Sequence, residues 1–539
     1  MSLTQSPYSA HVDTFTRDNL PPRSTWPEFL FTGPGLHYPD LINCATELLD
    51  RHVAAGAGAR RCVVTDTETW TYADLLAKSN QVAHLLIDEV GLVPGNRVLL
   101  RGPNNPWLVA AWFGVLKAGG VAVTTMPLLR SGELRTMADI AEPNVAICDH
   151  RFTEDLERAG ITGLTAIPYG GPGAGDLTAL AARRPADFEN AATAADDVCM
   201  LAFTSGTTGR PKATMHFHRD VLAIADTFSR NMLRPAPDDL FTASPPLGFT
   251  FGLGQSVVFP LRAGAATLLI EQPSPARLLE AVERHGVTVL ATAPTAYRAM
   301  VPDLKAVHLE SLRACVSAGE TLPRATWEAV NEASGIRIID GIGSTEMLHI
   351  FISAAEDEIR PGTTGRAVPG YVAEVQDPDG KPVPDGELGR LAVKGPTGCR
   401  YLRGDRQTTY VRDGWNITGD VYVRDADGYF HYQARADDMI ISAGYNIAGP
   451  EVEEALLRHR AVAEAAVIGV PDESRGMVVK AVVVLRPGAE LGPDPAKTLQ
   501  DFVKGEIAPY KYPRVIEFAE TLPRTATGKL QRFRLRDVS

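Results

Sequence analysis

Along the first two-thirds of the chain, apolar residues fall into two recurring patterns: short continuous runs, and longer stretches with a helical period. Residues 70–86 carry the helical period, and Arg97-Val98-Leu99-Leu100 then reads as a short buried strand stopped by Gly102 and Pro103. A second helical stretch at 107–116 closes at Gly119-Gly120, ahead of a strand at 121–123. Strands at 144–148, 266–270 and 287–291 and a helix at 275–285 continue the cycle. The runs at 315–320 and 336–341 repeat it, each a strand ending in glycine where a ligand can approach. Alternation of this kind predicts βαβ units and a mainly parallel sheet. Ahead of it, residues up to about 43 are rich in proline and aromatics (Pro21, Pro22, Trp26, Pro27, Phe29, Phe31) and predict an irregular surface arm.

The texture changes near Gly365. Short β-like runs are punctuated by Asp379-Gly380, Asp385-Gly386, Asp413-Gly414 and Asp427-Gly428, the turn pairs of antiparallel hairpins. After the polar junction Ala436-Asp437-Asp438 comes a small α+β pattern, with strands at 439–441, 462–470 and 478–485 and helices at 450–457 and 499–507. The expected fold is therefore α/β. A large N-terminal domain (1–436) of parallel and mixed sheets flanked by helices, with a β-rich subdomain, is followed by a small mobile α+β C-terminal domain (437–539).

Composition narrows the class. At 539 residues, 45% hydrophobic and 22% charged, the chain reads as a globular enzyme-sized protein of more than one domain. Its net charge of −12 argues against a general nucleic-acid surface, because phosphate backbones attract basic faces. No apolar run is long enough to span a bilayer, and the N-terminal residues lack the apolar core of a signal peptide. Cys44, Cys62, Cys148, Cys199, Cys315 and Cys399 show no metal-ligand spacing and read as buried reduced thiols of a cytoplasmic protein.

The strongest chemical signal is Thr204-Ser205-Gly206-Thr207-Thr208-Gly209-Arg210-Pro211-Lys212. Glycines let the backbone approach an anion, the hydroxyls donate, and Lys212 supplies charge, so the stretch reads as a phosphate-gripping loop after a strand. It is not a Walker A loop, since Pro211 precedes the lysine and Ala213 follows it. Taken alone it also fits a polar hairpin turn. Four further segments decide between the two: Gly341-Ile342-Gly343-Ser344-Thr345-Glu346; Thr418-Gly419-Asp420; Gln433-Ala434-Arg435-Ala436-Asp437-Asp438 with Ser442-Ala443-Gly444; and Pro523-Arg524-Thr525-Ala526-Thr527-Gly528-Lys529.

In this order and spacing the five segments resemble the adenylate-forming superfamily of acyl-CoA and aryl-CoA ligases, and the resemblance covers nearly the whole chain. It implies attack of a carboxylate on the α-phosphorus of ATP, a reaction of two anions that depends on positioning and charge cancellation. By resemblance, Thr204, Ser205, Gly206, Thr207, Thr208, Gly209 and Lys212 hold the β- and γ-phosphates, Thr345 contacts the α-phosphate, and Glu346 binds Mg²⁺. Asp420 takes the ribose hydroxyls with Arg435 beside it, and the adenine lies against Ala318, Gly319 and Glu320 and against Asp340, Gly341 and Ile342. Lys529 bridges the substrate carboxylate and the ribose-phosphate oxygens. For the second step, attack of a thiol on the acyl-adenylate, the resemblance implies a swing of the C-terminal domain about Asp437 that withdraws Lys529 and opens a channel for coenzyme A at Gly444.

The acyl pocket is expected at Phe249, Thr250, Phe251, Gly252 and Gly343, whose flat apolar lining suits an aromatic ring. His349 is the candidate reader of a ring substituent, against a structural role in the core. These segments, together with Asp18-Asn19-Leu20-Pro21-Pro22 near the N-terminus, resemble 2-aminobenzoate-CoA and benzoate-CoA ligases; Thr250-Phe251 departs from the Ala-Tyr pair of the benzoate type. His216 and His218 either line the pocket or start a helix. The expected ligands are thus ATP, Mg²⁺, coenzyme A and a small aromatic acid, 2-aminobenzoate first and benzoate or another substituted benzoate as alternatives. Transfer to a carrier protein instead of coenzyme A, and assembly as a homodimer, stay open.

Overall fold

The computed structural model describes residues 8–204, 211–404, 406–442, 445–472, 475–524 and 530–536; for residues 437, 445, 446, 476 and 533 it describes the backbone alone. Four sheets organise these residues. The first is six-stranded, in the order Thr165–Tyr169, Val145–Asp149, Arg97–Arg101, Val121–Thr125, Val198–Thr204, Lys212–Phe217, and is parallel except for its last strand. The second is nine-stranded: Arg366–Ala367, Ile350–Ser353, Ile338–Gly343, Ala314–Ser317, Val289–Thr292, Leu240–Ala243, Ala266–Leu268, Arg61–Val64, Thr69–Thr71. Its central strands are parallel and both margins antiparallel.

Helices cover these sheets because their sequences are apolar where they face them. Pro106–Lys117 starts at Asn105, whose side chain accepts from Leu108 N (3.0 Å), with Pro106 in the first turn where its missing N–H costs nothing. Every residue from Leu108 to Lys117 is buried, as befits a helix enclosed between layers. Pro275–His285 begins at the Ser274 cap and stops at Gly286, whose φ of +68° lets the chain leave the helix.

A third, antiparallel sheet holds Val372–Gln376, Leu388–Lys394, Trp415–Arg424 and Val411–Arg412, with Phe430–Arg435 paired to Trp415–Arg424. The four Asp-Gly pairs sit at its turns: Gly380, Gly386, Gly414 and Gly428 all have φ between +78° and +90°. The fourth sheet joins Tyr445–Ile447, Ile440–Ser442, Gly476–Leu485 and Val462–Asp472, with Val515–Phe518 parallel on Gly476–Leu485. Gly449–Leu457 and Pro495–Glu506 pack on it around a core drawn entirely from residues 440 onward. The protein is thus a large α/β body with a β-rich part and a smaller C-terminal domain.

Three elements depart from the sequence reading. The stretch predicted as helix from 70 begins as strand Thr69–Thr71, because Thr71 and Asp74 form a reciprocal capping box that fixes the start of helix Tyr72–Asp88. The strand expected over 315–320 ends at Ser317, where Ala318 and Gly319 turn out of the sheet with Gly319 at φ +88°. The phosphate-loop candidate joins two antiparallel strands, Val198–Thr204 and Lys212–Phe217, with Thr204 opposite Lys212. The turn reading and the ligand-loop reading are therefore compatible.

Candidate active site

The site candidates gather where strands end. Ser317 and Asp340 are in register on neighbouring parallel strands, so Ala318, Gly319 and Glu320 leave one strand end beside the other, which continues through Gly341 and Gly343 to Ser344, Thr345 and Glu346. The carboxyl ends of parallel strands are the usual place for ligands in such folds. Burial, opposed by the Gly341 N–H and the Ser317 hydroxyl, raises the Asp340 carboxyl to about 8. Its Oδ1 has no partner among the described residues.

The turn carrying Thr345 and Glu346 is tightly made. Leu348 sits at φ +69° although it is not glycine, Leu348 N donates to Thr345 O (3.2 Å), and Met347 N donates to Ser344 Oγ (3.2 Å). A buried left-handed leucine costs conformational energy and marks a turn that packing enforces. The Glu346 carboxylate accepts from Tyr401 Oη (2.7 Å), and Ser344 Oγ meets Tyr410 Oη at 3.1 Å. Lys212, at the start of the strand after the phosphate loop, stands with Nζ 5.8 Å over the Tyr401 ring. Burial first, then the charge of Arg406, lowers its ammonium pKa, while Glu346 opposes the shift.

Asp420 and Arg435 face each other across the hairpin of the third sheet, with Arg435 Nη1 3.0 Å from Asp420 Oδ1. Tyr410, which meets Ser344 of the Glu346 turn, lies within electrostatic reach of Asp420. Burial, then the nearby charges of Glu346 and Asp420, push its phenol well above the usual range, so it stays protonated between the two carboxylates.

The acyl-pocket candidates form one wall. Phe249 precedes the short helix Thr250–Leu253. At Gly252 a methyl carbon would lie 2.5 Å from the Pro245 carbonyl oxygen and closer still to that of Pro246, so no side chain fits there. His349 is enclosed by Phe259, Phe228 and Phe251, with ring centroids at 4.5, 5.4 and 5.6 Å. A methyl group at Gly254 would collide with its ring, 2.6 Å from Nε2, and one at Gly343 would lie 2.7 Å from its carbonyl. Neither ring nitrogen has a hydrogen-bond partner among the described residues. Burial lowers the ring to about 3 despite the nearby Phe251 carbonyl, so the imidazole is neutral.

His216 lies beside the Thr345 turn, within hydrogen-bond reach of its backbone, and His218 starts a helix. His216 is buried in Lys212–Phe217 against Thr214 Oγ1 (2.9 Å), and His218 opens helix His218–Ile224, its Nδ1 accepting from Cys44 N (3.1 Å). Ser205, Gly206, Thr207, Thr208, Gly209, Gly444 and Lys529 lie outside the described residues, as does the Asp437 side chain. Arg524, at the head of the Lys529 segment, reaches Thr295 Oγ1 (3.4 Å) and Glu320 (3.6 Å), while Thr295 donates to Glu320 (2.6 Å). The C-terminal domain is therefore in contact with the adenine-end candidates. Tyr401, Tyr410 and Asn104, which holds Pro245 O (3.1 Å) and Leu247 N (2.8 Å), were not singled out by sequence reading. They act from distant stretches, and their spacing carries no signal.

Comparison with known proteins agrees with this arrangement. Residues 50–401 match the AMP-binding enzyme family and residues 451–529 match the AMP-binding enzyme C-terminal domain. The chain is 36% identical over 520 residues to a benzoate–CoA ligase of Thauera aromatica, covering 94% of this chain and 98% of that one. It is 32% identical over 510 residues to a 4-hydroxybenzoate–CoA/benzoate–CoA ligase of Rhodopseudomonas palustris, covering 92% and 94%. Among solved structures it resembles the anthranilate CoA ligase AuaEII in complex with anthranoyl-AMP (TM-score 0.88, 34% identity, 93% and 98% covered). It also resembles a benzoate CoA ligase from Burkholderia xenovorans (TM-score 0.85, 34% identity, 92% and 100% covered). The first match spans the segments at 204–212 and 341–346 and the second runs to Lys529; this chain belongs to the AMP-binding enzyme family.

Proposed function

We propose that this acid–thiol ligase activates 2-aminobenzoate with ATP and passes the acyl group to coenzyme A. The observation that carries the choice of acid is His349: a buried, neutral imidazole without a partner, among three phenylalanines and two side-chain-free glycines, next to the turn of Thr345 and Glu346. A neutral imidazole has one donor and one acceptor nitrogen, and the acceptor can take an N–H from an amino group beside the carboxylate. Two relatives with anthranilate and benzoate in their names support an aromatic acid. Benzoate is the second reading, favoured by the 36% identical relative.

In the first step a carboxylate oxygen bonds to the α-phosphorus and the bond to pyrophosphate breaks. Lys212 and the loop from Thr204 bind the departing phosphates, Thr345 orients the α-phosphate, and Asp420, with Oδ1 held by Arg435, offers its other oxygen to the ribose hydroxyls. Ala318, Gly319, Glu320, Asp340 and Gly341 line the adenine end. Glu346 fits a magnesium ion by its donor chemistry: a hard carboxylate with one oxygen bound to a tyrosine and no other partner among the described residues. Bound there, magnesium neutralises phosphate charge. Lys529 supplies the remaining cation to the reacting carboxylate. In the second step the thiolate sulfur bonds to the acyl carbon and AMP leaves, with residues 437–539 swinging about Asp437 and Gly444 leaving room for the thiol.

A panel of aryl and fatty acids assayed for pyrophosphate release, with and without coenzyme A, tests this reading. The expected outcome is strongest release with 2-aminobenzoate and thioester formation on adding coenzyme A. Release confined to non-aromatic acids overturns the substrate, and an adenylate that persists in coenzyme A overturns the acceptor.

A further inference from the structure

We infer that Tyr401 is a positioning residue that aims the Glu346 carboxylate and steadies Lys212, so that the metal-side and phosphate-side charges of the site are set by one side chain. This rests on the assignment of Glu346 to magnesium under the proposed function. The phenol is 5% exposed and Glu346 9%, and the 2.7 Å contact between them is a hydrogen bond from a neutral donor to a charged acceptor in a poorly solvated place. Such bonds fix geometry more strongly than neutral ones. Donating to Oε1 restricts the rotation of the carboxylate and leaves Oε2 for another ligand.

The tyrosine is itself held from three sides. Its N–H donates to Gln407 Oε1 (3.0 Å), and the same amide donates to Cys399 O (2.9 Å) and to Thr25 O in the N-terminal arm (2.9 Å). Met215 N donates to Arg400 O (2.8 Å) and Leu402 N to Ala213 O (2.9 Å), which staples residues 400–402 to the strand that begins with Lys212. Behind it, Arg400 is buried in an ion pair with Asp220 and lies 3.8 Å over the Phe217 ring. In front, the Tyr401 ring meets Tyr410 edge-on at 5.9 Å, and Tyr410 holds Ser344 at the other end of the Glu346 turn. Two tyrosines of one segment therefore grip the two ends of the turn, and the ring of one also faces the Lys212 ammonium.

Tyr401→Phe separates these contributions, since it keeps the ring against Lys212 and Tyr410 and removes only the hydroxyl. Calorimetric titration of ATP into wild-type and variant, each with magnesium and with a chelator, reads the metal-dependent gain in affinity without any catalysis. The expected result is unchanged affinity in chelator and a loss of roughly tenfold in the magnesium-dependent gain, the size of one hydrogen bond to a charged group. In a Glu346→Gln background the same substitution is expected to change nothing further. A folded Tyr401→Phe protein with the full magnesium gain overturns the inference, as does an equal loss with and without magnesium. If Glu346→Gln alone leaves the wild-type gain intact, the magnesium assignment fails and the role of Tyr401 fails with it, while pyrophosphate release with 2-aminobenzoate still judges the proposed reaction on its own.

Discussion

Under the proposed function, the choice of acid rests on His349. Because burial holds its ring neutral down to about 3, its donor and acceptor pattern does not change across the range in which the enzyme works. We therefore expect the kcat/KM ratio for 2-aminobenzoate over benzoate to be flat between about pH 6 and about pH 9, and to fall roughly fivefold in His349→Ala, the value of one neutral hydrogen bond. An unchanged ratio in that variant would return His349 to the core. Asp340 gives a second residue-scale expectation. Its carboxyl is raised from 3.8 to about 8, so the folded chain keeps a proton that the unfolded chain releases. Stability then falls as pH rises through that window, and it does so less in Asp340→Asn. Thermal melts should show the variant gaining on the wild type as pH is raised, whereas a constant offset would mean that the carboxyl is ionised when folded.

At the scale of elements, the site is built from turns whose shapes are imposed by remote partners. Asn104, just ahead of helix Pro106–Lys117, bonds to Pro245 O and Leu247 N and so anchors the segment that leads to Phe249 and Gly252. Asn104→Ala leaves these backbone groups short of a partner and is expected to cost about 1–3 kcal/mol, with KM for the aryl acid rising more than KM for ATP. Denaturant melts and initial-rate kinetics check both parts. Several strands and helices were legible in the sequence because burial writes a period into it: Pro275–His285 runs over the predicted residues, and Arg97–Arg101 extends its prediction by one. Strand Leu240–Ala243 and helix Ser131–Ala141 went unread. The former is too short to show a period, whereas the latter does carry one, with Leu134, Met137, Ala138 and Ala141 buried at helical spacing.

For the whole molecule the arrangement of domains decides which residues act together. Arg524 meets Glu320 and Thr295, and Arg298 Nη1 approaches Ala463 O (3.4 Å), so the C-terminal domain contacts the larger body beside Glu320. If residues 437–539 turn about Asp437 between the two steps, the steps should be separable by mutation. Lys529→Ala is expected to lower adenylation by at least about a hundredfold, as loss of one charge-stabilising group does, and to spare thioester formation from supplied aryl-adenylate. Asp437→Pro is expected to do the reverse. Rapid-quench assays of each half-reaction check this, and equal loss of both steps in either variant would remove the two-position scheme. No helix among the described residues is long and apolar enough to cross a membrane.

By itself the sequence determined the α/β class, the antiparallel texture after Gly365 and the five segments of the family resemblance, since each depends on local periods, turn residues and short motifs. It also named Glu346, Asp420, Arg435 and His349. What only the tertiary structure decided is how those groups are held. It set Tyr401 against Glu346, Tyr410 against Ser344, and His349 among Phe228, Phe251 and Phe259. The reason is physical. A motif records what a residue can do, whereas hydrogen-bond partners and burial arise from contacts between stretches tens to hundreds of residues apart, and these leave no mark in local spacing.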